Sequence, residues 1–360
     1  MAPIQLSARD FSQFGTPAEH FRVIVNQASA GLVEAAAGPD GDGVTLELPD
    51  GVPLADFLNQ HVPDGADVLA VCPDQLLSSP GSELGRRRLL VLPAGSTPLT
   101  AAQVQYFLGV ATRGDAQAEA AAAQGFFDRL AEADSVAVVD DEQGTRAKFD
   151  PFVAGLVWNQ QAGPLEPGEQ QIAPAGELSV LPAEITGFDP DGRLPLDGEL
   201  VLRGWPIVHS TPDADDRADQ ARIFGAIRSL AAAPIVAEIE GGVITGLRAV
   251  DARATAAVEA LTELFALDSR YRIVWELGFG INPVLEVRPG NCGPNEVYGG
   301  PSGAIHLGIG LMPDTRHALT FAAAGSRLTA DDGRTVFGPE PRVAAGGRLR
   351  RVVSSSCGCH

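Results

Sequence analysis

The chain has 360 residues, is 45% hydrophobic, and carries a net charge of −20 with Lys148 as its only lysine. That length and apolar content suit about two domains of roughly 150 residues, each with its own core. The acidity excludes a nucleic-acid binder, which needs a basic face, and equally an anionic membrane surface.

The first 150 residues alternate strand and helix patterns. Phe21–Val25, Ala66–Val71 and Arg88–Leu92 are apolar runs of strand length. Thr100 is placed to cap a helix over Ala101–Gly109, and the alanine-rich Ala116–Ala131 has helical spacing. Ser135–Val139 follows as a strand. Strand and helix in alternation predict an α/β N-terminal domain, residues 1–150, with a partly parallel sheet.

After Asp150 the texture changes to prolines, glycines and short alternating runs such as Glu199–Leu202. This predicts an α+β C-terminal domain, residues 151–344, built on an antiparallel sheet. Asp213–Asp216 reads as a turn and cap region before a helix over Asp219–Ala232. Ile235–Glu240 and Val243–Leu247 flank Gly241-Gly242 as a hairpin. Asp251–Leu267 is a helix with Val258, Leu261, Leu264 and Phe265 on one face. Two glycine-closed strand patterns follow, W-E-L-G-F-G-I-N-P from Trp275 and G-A-I-H-L-G-I-G ending at Gly310. Ala318–Ala323 is then expected to pair with Thr335–Phe337 across the Asp331-Asp332-Gly333 turn.

Residues 345–360 lack any apolar period and read as a flexible Cys/His tail. Cys357, Cys359 and His360 put two thiols and an imidazole within four residues, a set that suits copper(I) or zinc, or chemical modification. Four cysteines in a chain of this length do not make a disulfide framework, so Cys72 and Cys292 read as ordinary thiols. Residues 1–24 show no signal-peptide pattern and no apolar run nears the ~18 residues of a membrane span, so the expected location is cytoplasmic.

Glu276 and His306 are the candidate site residues, an acid and an imidazole on two strands whose glycine ends meet. His20, His61 and His209 carry no such context and read as structural. The alternatives are a core histidine at His306 and a buried Glu276 paired with Arg272.

Three segments carry a resemblance to a known family. They are Glu142–Phe149, the run Pro167-Gly168-Glu169 to Pro174, and the Glu276 and His306 stretch. In this order they resemble the aminopeptidase T-type metallopeptidase family, whose relatives include a ring-cleaving dihydroxypyridine dioxygenase. The resemblance implies metal ligands at Glu169, Glu276, His306 and His317. The family's tyrosine position holds Pro313 here, and its aspartate position holds Leu319. Four remaining donors suit about one divalent metal per chain, zinc, iron or manganese. The resemblance further implies a homodimer, and the site is expected in the cleft between the two domains, where ligand pockets commonly form.

The leading expectation is a metal-dependent, aminopeptidase-like hydrolase that acts on or binds a peptide or other small molecule. A mononuclear iron ring-cleaving dioxygenase is the first alternative. The second is a non-catalytic scaffold or self-modifying precursor in ribosomal peptide biosynthesis, with residues 352–360 as the core peptide. Its basis is the Gly-Gly link at Gly346-Gly347, the arginine neck and the Ser/Cys/His ending.

Overall fold

The computed structural model of the chain describes residues 2–36, 42–72, 83–92, 96–98, 100–182, 192–211, 213–292, 302–311 and 315–340. Cys357, Cys359, His360 and Pro313 lie outside the described residues. Among those described, no helix is long and apolar enough to cross a membrane.

The N-terminal part is an α/β layer structure, as its alternating pattern predicts. Five parallel strands lie in the order Gln170–Ile172, Arg88–Val91, Asp67–Val71, His20–Val25, Asp42–Glu47. Alternate side chains serve opposite faces. Phe21, Val23, Leu69 and Leu90 pack with Val104 and Phe107 of the helix Ala101–Ala111. Ile24, Val68, Ala70 and Leu89 pack with Leu54, Phe57 and Leu58 of the helix Leu54–His61. Thr100 caps the first of these helices by accepting from the Gln103 amide.

The rest is α+β with two antiparallel sheets. One has six strands, ordered Ile207–Ser210, His317–Ala322, Ile305–Ile309, Val274–Gly280, Glu177–Pro182, Leu156–Gln161. The other has seven, ordered Val243–Ala249, Ile235–Glu240, Leu196–Leu202, Thr145–Phe149, Val136–Asp140, Arg327–Ala330, Thr335–Phe337. Both sheets contribute to one core, which also takes Phe126 and Leu130 from the helix Ala116–Ala131 and Leu261 and Phe265 from Thr255–Leu267.

Three expectations need correction. Sheet membership does not change at residue 150: strands 136–140 and 145–149 belong to the seven-stranded sheet, and 170–172 returns to the parallel one. Ala318–Ala323 does not pair with Thr335–Phe337; strand Arg327–Ala330 forms that hairpin, while strand 317–322 joins the six-stranded sheet. The helix expected from Asp219 begins at Ala214, because Asp213 caps it by accepting from the Asp215 and Asp216 amides. Those two aspartates then occupy its first turn, where the helix dipole favours acids.

Helix Ala116–Ala131 carries a buried acid at the seam with the N-terminal part. Glu119 is 2% exposed, and burial pushes its carboxyl up to about 7, against donors from Gly163 and Gln13 and with the Asp115 charge adding. A carboxyl raised in the folded state contributes stability below its unfolded value near 4.5 that is lost as pH rises through about 7. Glu119→Gln is therefore expected to equal the parent at pH 4.5 and exceed it at pH 8 by on the order of 2–3 kcal/mol. Urea unfolding at the two pH values checks this; a variant weaker than the parent at pH 8 contradicts it.

Candidate metal centre and adjoining cleft

The six-stranded sheet has one apolar face and one polar face. Leu178, Val180, Leu277, Phe279, Ile305, Leu307, Ile309, Leu319 and Phe321 turn into the shared core. The alternate positions turn the other way, and there the strands carry glycine, serine, alanine and the chemistry-bearing side chains. Register pairs Glu177 with Gly280, Gly278 with His306, and Glu276 with Gly308. Each polar side chain thus faces a glycine on the neighbouring strand.

Those glycines are needed as space. A Cβ on Gly278 would sit 2.0 Å from His306 Cε1, so the imidazole lies flat across that backbone. A Cβ on Gly308 would sit 3.0 Å from the Cβ of Glu276. The E-L-G and H-L-G spacings are the sequence form of this interlock, with side chain and space two residues apart on one face.

The three side chains converge. His306 Nε2 is 3.0 Å from Glu177 Oε1 and 3.7 Å from Glu276 Oε2. Glu177 and His306 are buried, while the Glu276 side chain keeps 28% exposure. Burial pushes the Glu177 carboxyl up to about 7 despite its bond to His306, and the Glu276 charge adds to the rise. Burial works to raise Glu276 as well, but hydrogen bonding and charge from His306 outweigh it and hold that carboxyl below its usual range. For His306, burial opposes protonation, yet the two glutamates push it up to about 10. At neutral pH the group is an imidazolium clasped by carboxylates. His306 Nδ1 is buried without a hydrogen-bond partner.

The same group fits a metal ion. One donor atom from each of Glu177, Glu276 and His306 lies within 4.8 Å of the others. Ligands about 2.0–2.1 Å from a tetrahedral ion stand roughly 3.3 Å apart, between the two N···O distances found here.

Glu276 also lines a cleft of about 280 Å³ with Ser96, Leu181, His209, Trp275 and Thr320. His209 is held between two hydroxyls, Ser96 Oγ at 3.3 Å and Thr320 Oγ1 at 3.2 Å. Ser96 follows the parallel-sheet strand Arg88–Val91, so the cleft joins the two parts of the chain.

Of the four ligands implied by resemblance, the structure brings Glu276 and His306 together. Glu169 is exposed in the turn before strand 170–172, where its carboxylate accepts from the Glu166 amide. His317 is buried rather than at the surface, and it faces the opposite side of the sheet from His306, because it stands one residue out of phase with Ala318 and Thr320. There its Nε2 meets Asp219 Oδ2 at 3.0 Å, on helix Ala214–Ile227. Leu319 is in the core. Two residues escaped the sequence reading. Glu177 lies eight positions past Glu169, in an A-G-E-L-S-V run whose alternation is the signal that could have found it. His209, read as structural, lines the cleft.

The family described as crocagin biosynthetic protein CgnE/B matches residues 50–328. No curated protein matches the chain. Among solved structures, the chain is similar to 2,5-dihydroxypyridine dioxygenase from Pseudomonas putida KT2440, at 16% identity and TM-score 0.53, covering 93% of this chain and 94% of that one. At that identity the likeness is one of fold. The family found is the crocagin one rather than the aminopeptidase T-type one that the motifs suggested, while the dihydroxypyridine dioxygenase named among that family's relatives is found as a likeness of fold.

Proposed function

Because the chain belongs to the crocagin biosynthetic protein CgnE/B family, we propose that it is a cytoplasmic peptide-holding protein in the biosynthesis of a ribosomally made peptide. The segment held is residues 352–360 of its own sequence, and one divalent ion binds at Glu177, Glu276 and His306. The observation that carries this reading is the placement of Glu276. It is the one member of the buried group that reaches the cleft, and it is held ionised there by His306.

The chain's own residues account for the holding. Trp275 and Leu181 give the cleft apolar walls, while Ser96, His209 and Thr320 give it polar anchors. Such a mix is usual where a ligand is oriented. Residues 341–351, just before the held segment, contain four arginines and no acid, opposite in sign to the chain's net charge of −20. The tethered segment meets the cleft at high effective concentration.

One imidazole and two carboxylates suit zinc, iron or manganese. When bound, the ion would supply Lewis acidity at the cleft floor. Its donors are the inverse of the two-histidine, one-carboxylate set of iron oxygenases. That chemistry favours holding over oxygen activation, and the dihydroxypyridine dioxygenase contributes its fold to the argument and nothing more.

Two measurements test the reading. First, metal must displace the His306 proton, so affinity is expected to rise about tenfold per pH unit from pH 7 to 9 at a stoichiometry of one per chain. Elemental analysis after equilibrium dialysis against zinc or manganese reads this; no uptake at pH 9 removes the metal from the proposal. Second, Cys72 and Cys292 are buried, so alkylation of native protein reports on Cys357 and Cys359. Their alkylation is expected to be several-fold slower than in urea and to recover in Glu276→Gln. Equal rates in the native parent and in urea would overturn the holding.

A further inference from the structure

We propose that the strand Leu156–Gln161 is a docking edge on which residues 350–357 of the same chain pair as an added strand. The claim rests on the peptide-holding reading for its purpose, and on the edge itself for its evidence.

The two edges of the six-stranded sheet differ. At the Ile207–Ser210 edge, Asn291 and Gln220 side chains and the Ser96 carbonyl take up the backbone groups of Val208 and Ser210. The Leu156–Gln161 edge pairs with Glu177–Pro182 on one side and has no strand on the other among the described residues. Natural edges are shielded by charges, prolines or bulges, because an open row of amides and carbonyls recruits other strands. Among the described residues this one shows no such shield. Residues 151–165 contain no charged side chain in a chain that is 20% charged. Phe152, Val153 and Val157 are 54%, 44% and 49% exposed, half of the six large hydrophobics exposed among the described residues.

Residues 350–357 suit this edge. The described chain stops at Glu340, three residues past Phe337. Phe337 and Trp158 of the edge strand pack on the same two rings: Phe126 at 5.7 and 5.6 Å, Phe279 at 5.4 and 6.0 Å. The nine residues 341–349 span up to ~30 Å when extended. Val352-Val353-Ser354-Ser355-Ser356 is an uncharged, β-compatible run. Its arginine neck, Arg348, Arg350 and Arg351, is opposite in sign to the −20 of the whole chain. A second copy of the chain does not fit as well. Two bodies of that charge repel each other, and a six-residue edge with three apolar side chains falls far short of the ~800 Å² per partner of a stable interface.

Docking there also sets a direction. Asn159 is in register with Ser179, Ser179 with Gly278, and Gly278 with His306. An added strand would stand about three strand spacings, ~14 Å, from the strand of Glu276. Residues 358–360 lie past the added strand and extend up to about 11 Å, most of the way to the strand of Glu276.

Amide hydrogen exchange on the full chain tests the proposal. At low salt, residues 156–161 are expected to exchange slowly, and Val353→Pro, which removes a strand donor without altering residues 156–161, should speed the outward amides of 156–161 at least tenfold. About 0.5 M salt should speed them partly, through the arginine neck. Equal exchange in parent and variant overturns the proposal. So does protection that survives Val353→Pro and grows with protein concentration, which would assign the edge to a second copy. So does an edge that exchanges freely in the parent and slows only when a synthetic peptide of residues 348–360 is added. Thiol alkylation in Glu276→Gln is a separate readout, so slow alkylation with an unprotected edge would leave the holding reading standing and remove this one.

Discussion

His306→Ala is expected to lose about 3–5 kcal/mol of stability at pH 8, the cost of breaking a buried ion pair from one side. The substitution leaves Glu177 and Glu276 facing each other without the imidazolium that clasped them. The pH dependence has a definite sign. A histidine raised from 6.5 to about 10 contributes stability that is complete below 6.5 and is lost as pH rises through about 10. The parent should therefore weaken from pH 8 to 10 through this group, and the variant should lack that slope. Below pH 7 the variant should recover, because Glu177 takes up a proton there. Glu177→Gln combined with His306→Gln should cost much less than His306→Ala, since replacing a whole buried pair is near neutral. Denaturant unfolding across pH 5–10 reads all of this. A His306→Ala protein as stable as its parent at pH 8 would show that the imidazole is not the charge partner of both acids.

Gly278→Ala is the second large effect, and it adds a single methyl group. That carbon would overlap His306 Cε1 at 2.0 Å and Nε2 at 2.2 Å. The ring must leave the sheet surface, and its 3.0 Å bond to Glu177 goes with it. A loss of about 2–4 kcal/mol is expected, combining overpacking with an unpaired buried acid. Metal uptake at pH 9 should fall with it. Gly109→Ala is the control: no atom lies within 4 Å of its added carbon, and it sits in the helix Ala101–Ala111. There alanine should gain up to about 1 kcal/mol from helix propensity. Thermal melts of the two variants side by side give the answer. A Gly278→Ala protein that melts with its parent would mean that the ring has room to spare.

Much of the fold was legible because local signals agreed with tertiary ones. Thr100 with Gln103 marked a helix start, Gly241-Gly242 marked a hairpin, and the alternating apolar runs marked strands. Arg327–Ala330 was missed because it is short, and its pairing with Val136–Asp140 spans about half of the sequence. Sheet membership runs across residue 150 for the same reason: composition changes there, but strands 136–140 and 145–149 pair with strands that come later in the sequence. For the candidate centre, Glu276 and His306 were visible because each carries its glycine two residues on. Glu177 has Ser179 rather than a glycine two residues on, so only the alternation of its strand marked it. Resemblance pointed to Glu169 instead, since a Pro-Gly-Glu turn is easier to align than a buried strand. His317 could not be placed without knowing which face of its strand looks outward.

The facing of each polar side chain by a neighbour's glycine has a consequence for how such a protein diverges. Glu276 and Gly308, and His306 and Gly278, are each one decision written at two places in the gene. A lineage that abandons the imidazole frees Gly278 to take a side chain, while one that keeps it is confined to glycine there. Among relatives these positions should change as couples, and a homologue with a bulky residue at one member of a couple should have surrendered the chemistry of the other.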